Sequence, residues 1–254
     1  LQFRRVLFRS PVRKTGAFFS CEIQGGIESM KDAALAARYL PIFHFDQAET
    51  IPLRAIGWTV AQKTVRSRSF PKRDIPVSGE TAFTIEYACY WDYDIQHMYD
   101  LEHVWVMIGK DGKLIRAEGS FHGKYLNLWD RGMESIGALP PENERVHAFC
   151  QPGKHAFLPA GNLFRLVPGW RESCTSEAGG PVLTGGPFEG LYQSTKEEDD
   201  RSARYIREHL IFQPTLEFTT GGEDAVLLPW RELEQLIPDW VSAECARLKS
   251  YDEG

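Results

Sequence analysis

The chain has 254 residues, 43% hydrophobic and 25% charged, which excludes a disordered or low-complexity protein and allows a sizeable core. Its net charge of −6, from 29 basic and 35 acidic residues, gives no general attraction to nucleic acid. No apolar run reaches the roughly 18 residues needed to span a bilayer, and five widely spaced cysteines without a CxxC pair speak against a cysteine zinc site.

Leu1–Ser10 (LQFRRVLFRS) is basic and apolar, but lacks the continuous apolar stretch and cleavage site of a signal peptide. Val6–Ser10 is also what a common sequencing adapter encodes, so residues 1–10 are expected to be a non-native artefact and Met30 the natural start. Cysteine usage favours a reduced, cytoplasmic protein; a leader lost with the true beginning leaves secretion open. Cys150 and Cys174 remain a candidate disulfide pair.

Ser29–Asp32 resembles a capping box opening a helix to about Tyr39, with Pro41 as its stop. Ile42–Phe45 and Ala55–Val60 read as strands. Residues 63–80 read as a loop whose basic stretch, Arg66 to Arg73, is a solvated patch. Phe83–Trp91 alternates aromatic with small or polar residues, as a strand does. Glu102–Ile108 and Lys113–Phe121 form the clearest pair, joined by a three-residue loop with Gly112 left-handed. Residues 130–145 read as loop, and Val146–Phe149 and His155–Leu158 as short strands around Pro152-Gly153. The two Gly-Gly-Pro runs at 179–181 and 185–187 read as turns flanking short strands, without the lysine of a phosphate-binding loop. Asp199–Leu210, Pro229–Leu236 and Pro238–Leu248 read as helices.

The chemistry concentrates between residues 92 and 122. Asp94, His97 and Asp100 lie within seven residues, and Glu102 follows two positions later. On a strand Asp100 and Glu102 share a face that continues as Val104, Val106 and Ile108. Two carboxylates leading into an apolar stripe repel and lose hydration unless a cation sits between them. With a three-residue loop, residue i faces residue 222 − i, which places His122 opposite Asp100 and Ser120 opposite Glu102. A four-residue loop would set His122 against Glu102, and a two-residue loop would turn it away. Carboxylates with one or two imidazoles and no thiolate favour Mg²⁺, Ca²⁺ or Mn²⁺; Zn²⁺ or Fe²⁺ fits if both histidines bind.

His97-Met-Tyr-Asp100-Leu-Glu102-His103 resembles the heptapeptide region of the necrosis- and ethylene-inducing peptide-like proteins. Tyr87–Asp94 looks like their preceding strand, which ends in a metal-binding aspartate, and Ser120-Phe-His122-Gly123 like their Ser-Ala-His-Gly. The Gln151–Ala156 segment is similar to one in the related vacuolar protein sorting-associated family. The resemblance is dense only over residues 86–123. It implies an antiparallel β-sandwich with an acidic surface pocket for a divalent metal, held by Asp94, His97, Asp100 and Glu102. It selects Asp94 over Asp92 as the first ligand. Combined with the helix assignments, the expectation is a mainly β chain, one metal-binding domain over 30–254, with short helices at the N-terminus, near 199–210 and at the C-terminus.

His122, Asp92, His103 and His155 are further candidates for the pocket. His103 points away from Glu102 on a regular strand, and His155 follows a turn. Trp58, Trp91 and Trp105 read as core, His44 as structural and Cys89 as an inert buried thiol. No Ser-His-Asp arrangement has local support. The favoured function is metal-dependent binding of a polar ligand: a glycan, a lipid headgroup or a phosphate. The alternative is a metal-dependent hydrolase of phosphoesters or glycans, with Asp92 or His103 as base.

Overall fold

In the computed structural model, residues 30–130, 132–185 and 189–252 are described. Leu1–Ser10, Cys21, Ser29 of the capping box and most of the second Gly-Gly-Pro run lie outside them.

The longest elements come from the aromatic-rich alternation in the middle of the chain. Strand β5 (Thr81–Asp94) pairs antiparallel with β6 (His97–Gly109) along nearly their whole length. Ile85, Tyr87, Cys89 and Trp91 stand opposite Val106, Val104, Glu102 and Asp100. These pairs share one face, so the apolar row does end in two carboxylates, as the period-2 pattern requires. The other face carries Glu86, Ala88 and Tyr90 opposite Trp105, His103 and Leu101.

Around this pair the chain builds a six-stranded sheet. Its order is β12 (Val226–Pro229), β2 (Ala55–Ala61), β5, β6, β7 (Leu114–Phe121) and β8 (Lys124–Trp129). A four-stranded sheet follows the order β10 (Phe157–Leu158), β9 (His147–Cys150), β1 (Ile42–Asp46) and β11 (Phe218–Gly221). One core unites them, with Phe43, Ala148 and Phe157 of the smaller sheet packed among Tyr87, Trp91, Val104 and Val106. The expected sandwich is present, but both sheets are mixed. β1 runs parallel to β9 and β12 parallel to β2, because long crossovers bring each pair together.

The basic loop is only partly solvated. It folds into a two-stranded ribbon, β3 (Val65–Arg66) with β4 (Asp74–Ile75), lying over Trp105 and Met107. Arg66 and Lys72 are exposed. Arg73 is buried, paired with Glu118 and held between the rings of Trp105 and Tyr125.

Helix α1 covers 30–38. Helix α2 (Lys196–His209) starts three residues before the expected Asp199, because Thr195 and Glu198 form a reciprocal capping box. The two expected C-terminal helices are one, α3 (Trp230–Asp252), with Pro238 inside it. Trp230, Leu233, Ile237, Val241, Cys245 and Leu248 are all buried. That continuous stripe holds both halves and outweighs the roughly 3 kcal/mol an interior proline costs. Cys150 and Cys174 are free buried thiols, so the candidate disulfide is absent. Cys150 instead bonds to the His155 carbonyl, and Cys174 to that of Pro152.

Candidate metal centre

The β5–β6 connection is a two-residue turn, Ile95-Gln96, with Asp94 and His97 as the last pair. The Asp94 side chain closes its own turn, its Oδ1 accepting from the Gln96 N–H at 2.5 Å. The acidic cluster therefore sits at the tip of this hairpin, at the opposite end of β6 from the Lys110–Gly112 loop.

Two segments clamp the tip. On one side the Ile95 N–H donates to the Gly153 carbonyl at 2.7 Å. On the other the Gly179 N–H donates to Ile95 O at 2.8 Å, and Met98 N–H to Pro181 O at 2.9 Å. The first Gly-Gly-Pro run is thus a strap across the hairpin. A Cβ on Gly180 would lie 1.8 Å from the Gln96 carbonyl oxygen, so only glycine permits the approach. Gly153 has φ +65 and would set a Cβ 3.0 Å from that of Ile95. The half-buried Glu49 carboxylate accepts from the N–H groups of Gly153, Thr50 and Ile51, fixing this side of the clamp.

Asp94, His97 and Asp100 each place one ligand atom within 4.8 Å of the others. A regular ladder would send Asp94 and Asp100 to opposite faces, since Asp100 pairs with Trp91, three residues before Asp94. Tyr99 breaks the alternation with φ +45, an unusual conformation for a bulky residue. Its carbonyl accepts from His97 Nδ1 at 2.8 Å. That bond puts a proton on Nδ1, so Nε2, 3.6 Å from Asp94 Oδ2, is the nitrogen a metal would take.

His155 enters the centre through Asp100. Its Nδ1 donates to Asp100 Oδ2 at 3.0 Å, and its ring stacks on Trp91 at 4.3 Å. The backbone there is strained: φ is +57, and Ala156 N–H bonds Lys154 O across the residue. Burial alone would raise the Asp100 carboxyl, but the His155 hydrogen bond and charge hold it below its usual range. Burial first, and the neighbouring Asp100 charge second, push Glu102 well above its usual range. Glu102 is buried, is not among the three residues whose ligand atoms converge, and accepts from the Ser120 hydroxyl.

The other expected residues are placed elsewhere. Ile108 pairs with Leu114 as the three-residue loop dictates, but Met107 pairs with Arg116, making Ile115 a bulge. Every later pair is displaced by one, so His122 does not face Asp100. His122 and Gly123 form the β7–β8 turn, both with positive φ, and His122 Nε2 meets Gln151 Oε1 at 2.9 Å. Asp92 is bonded to Arg54 at 2.5 Å and to the Tyr90 hydroxyl at 3.1 Å, beside Trp240 of α3. His103 lies under the β3–β4 ribbon, between Phe70 and Trp105, and burial lowers its pKa to about 3. Lys154 was not anticipated. Its Nζ lies 2.9 Å from Asp94 Oδ2. The only sequence signal was adjacency to His155.

No family model matches the chain, and no curated protein matches it. Among solved structures, NLPPya, a necrosis- and ethylene-inducing peptide-like protein, is similar in its complex with glucosamine. That match has a TM-score of 0.33 and 16% identity, and covers 50% of this chain and 66% of NLPPya. The complex with mannosamine gives 0.32 and 16% over the same shares. A triply substituted NLPPya gives 0.31 and 16%, covering 68% and 90%. The chain thus spans 66% of the sugar-bound structures. No helix among the described residues is long and apolar enough to cross a membrane.

Proposed function

We propose that this protein binds a hard divalent cation at the β5–β6 tip and uses it to hold a polar ligand. One observation carries the reading: two buried carboxylates and an imidazole presenting Nε2 converge within 4.8 Å on a turn clamped from both sides. Lys154 and His155 each answer one of these carboxylates, whereas a divalent cation would serve both at once. The proposed ligands are Asp94, His97 and Asp100, with Glu102 as a further carboxylate and His155 orienting Asp100. Oxygen donors with one nitrogen favour Mg²⁺, Ca²⁺ or Mn²⁺. His122 is engaged with Gln151, whereas His155, bonded to Asp100 through Nδ1, keeps a buried Nε2 without a hydrogen-bond partner.

When bound, such a cation supplies a Lewis-acid position for a sugar hydroxyl, a headgroup oxygen or a phosphate. Binding is favoured over hydrolysis because the candidate bases, Asp92 and His103, are held by Arg54 and Tyr90 or sealed under the ribbon. The test is equilibrium dialysis with Mn²⁺, followed by titration of glucosamine and mannosamine, the sugars held by NLPPya, into metal-loaded protein. One Mn²⁺ per chain in the wild type and none in Asp100→Ala is expected, with sugar binding only in the loaded form. Equal Mn²⁺ in both proteins contradicts the site. Turnover of a phosphoester or glycan panel would replace the binding reading with the hydrolase.

A further inference from the structure

The Asp94 carboxylate already has a cation. Lys154 Nζ lies 2.9 Å from Asp94 Oδ2, 3.1 Å from Oδ1 and 3.0 Å from Gln96 Oε1. Those three acceptors match the three N–H groups of an ammonium. The pair is well sequestered, with the Lys154 side chain 13% exposed and that of Asp94 3%. Oδ1 also takes the Gln96 N–H, so the approach to Asp94 is crowded on both oxygens.

Resting on the metal reading above, we propose that Lys154 is a built-in competitor that sets metal affinity: its ammonium occupies Asp94 in the metal-free protein, and loading expels it. A metal that takes an Asp94 oxygen competes with Lys154 for it, since the ammonium touches both oxygens. A divalent ion and an ammonium a few ångströms apart in a sequestered site repel strongly. The residue can leave without dismantling its turn. The Gln151–His155 segment is anchored by Lys154 N–H and His155 N–H to Gln151 O, by Gly153 N–H to Glu49, and by His155 to Asp100. None of these uses the ammonium, and the four-carbon stem is flexible enough to swing outward. The same residue stabilises the metal-free protein, since without it Asp94 is a buried charge lacking its closest counter-ion.

Two consequences of opposite sign follow from one substitution. Lys154→Met should bind Mn²⁺ at least tenfold more tightly than the wild type by calorimetry at fixed pH and salt. Without metal it should melt at a lower temperature, and saturating Mn²⁺ should raise its Tm by more than it raises that of the wild type. Lys154→Arg keeps a cation and should stay close to wild-type affinity. Lys154→Gln repeats the test where the methionine variant fails to fold. A folded Lys154→Met with equal or weaker Mn²⁺ affinity overturns this inference alone, provided the wild type binds. If neither protein binds Mn²⁺, the metal reading falls, and this inference with it.

Discussion

Arg73→Ala probes how the outer face of the long sheet is sealed. The Arg73 side chain is 4% exposed and its Glu118 partner 8%. The guanidinium carbon lies 3.9 Å from the ring centroids of both Trp105 and Tyr125. Breaking a buried ion pair costs roughly 3–5 kcal/mol, because the surviving charge is left in low dielectric. Here Arg116, 2.7 Å from Glu118, still compensates the carboxylate and reduces that loss. The lost ring stacking restores about 1–2 kcal/mol of it. The net expectation is about 3 kcal/mol in urea unfolding, or a Tm lower by about 9 °C at this chain length. Arg66→Ala is the internal control. Arg66 pairs with Asp74 at 3.1 Å but is 63% exposed, so its removal should cost less than about 0.5 kcal/mol. A loss below about 1 kcal/mol for Arg73→Ala would show that the ribbon is not clasped by this residue.

Gly180→Ala drives a Cβ into the Gln96 carbonyl and should lower stability by about 2–3 kcal/mol, weakening Mn²⁺ binding with it. Gly79→Ala, at φ +62 with open space around it, should cost only about 1 kcal/mol, so equal Tm losses for the two would refute the strap. His44, whose pKa is lowered to about 4 by burial first and His147 second, stays neutral in the folded chain while the unfolded chain takes up a proton near 6.5. Its environment is the His147 ring, itself near Glu142 and Arg145, and the stacked Phe149. The His44 contribution to stability is therefore full above pH 6.5 and falls by about 3 kcal/mol toward pH 4. Urea midpoints at pH 7.5 and 4.5 measure the loss; His44→Phe should remove its share, while buried His103, lowered to about 3, keeps a residual loss in the same window.

The long hairpin was legible because alternation runs unbroken through Phe83–Trp91 and Glu102–Ile108, and both faces found cover. Asp94, His97 and Asp100 were legible as a dense cluster, but not their means of convergence. Left-handed Tyr99 breaks a pattern that period-2 counting assumes. His122 was misplaced by one inserted residue, Ile115, since a bulge moves every later pair. The strand Lys124–Trp129 was missed although His122-Gly123 is a two-residue hairpin turn. Lys154, Glu49 and the Gly179–Pro181 strap reach the site through tertiary contacts, which local pattern does not encode. Pro238 suggested a helix end, whereas the buried stripe from Trp230 to Leu248 carries the helix through it.

The centre itself is tested most directly by an anomalous difference map from crystals soaked in Mn²⁺. The account predicts a single strong peak at the β5–β6 tip, at about 2.0–2.3 Å from carboxylate oxygens of Asp94 and Asp100 and from His97 Nε2. Lys154 Nζ should have moved off Asp94 in the same crystal. No peak there, with Lys154 still on Asp94 at saturating Mn²⁺, would contradict the account.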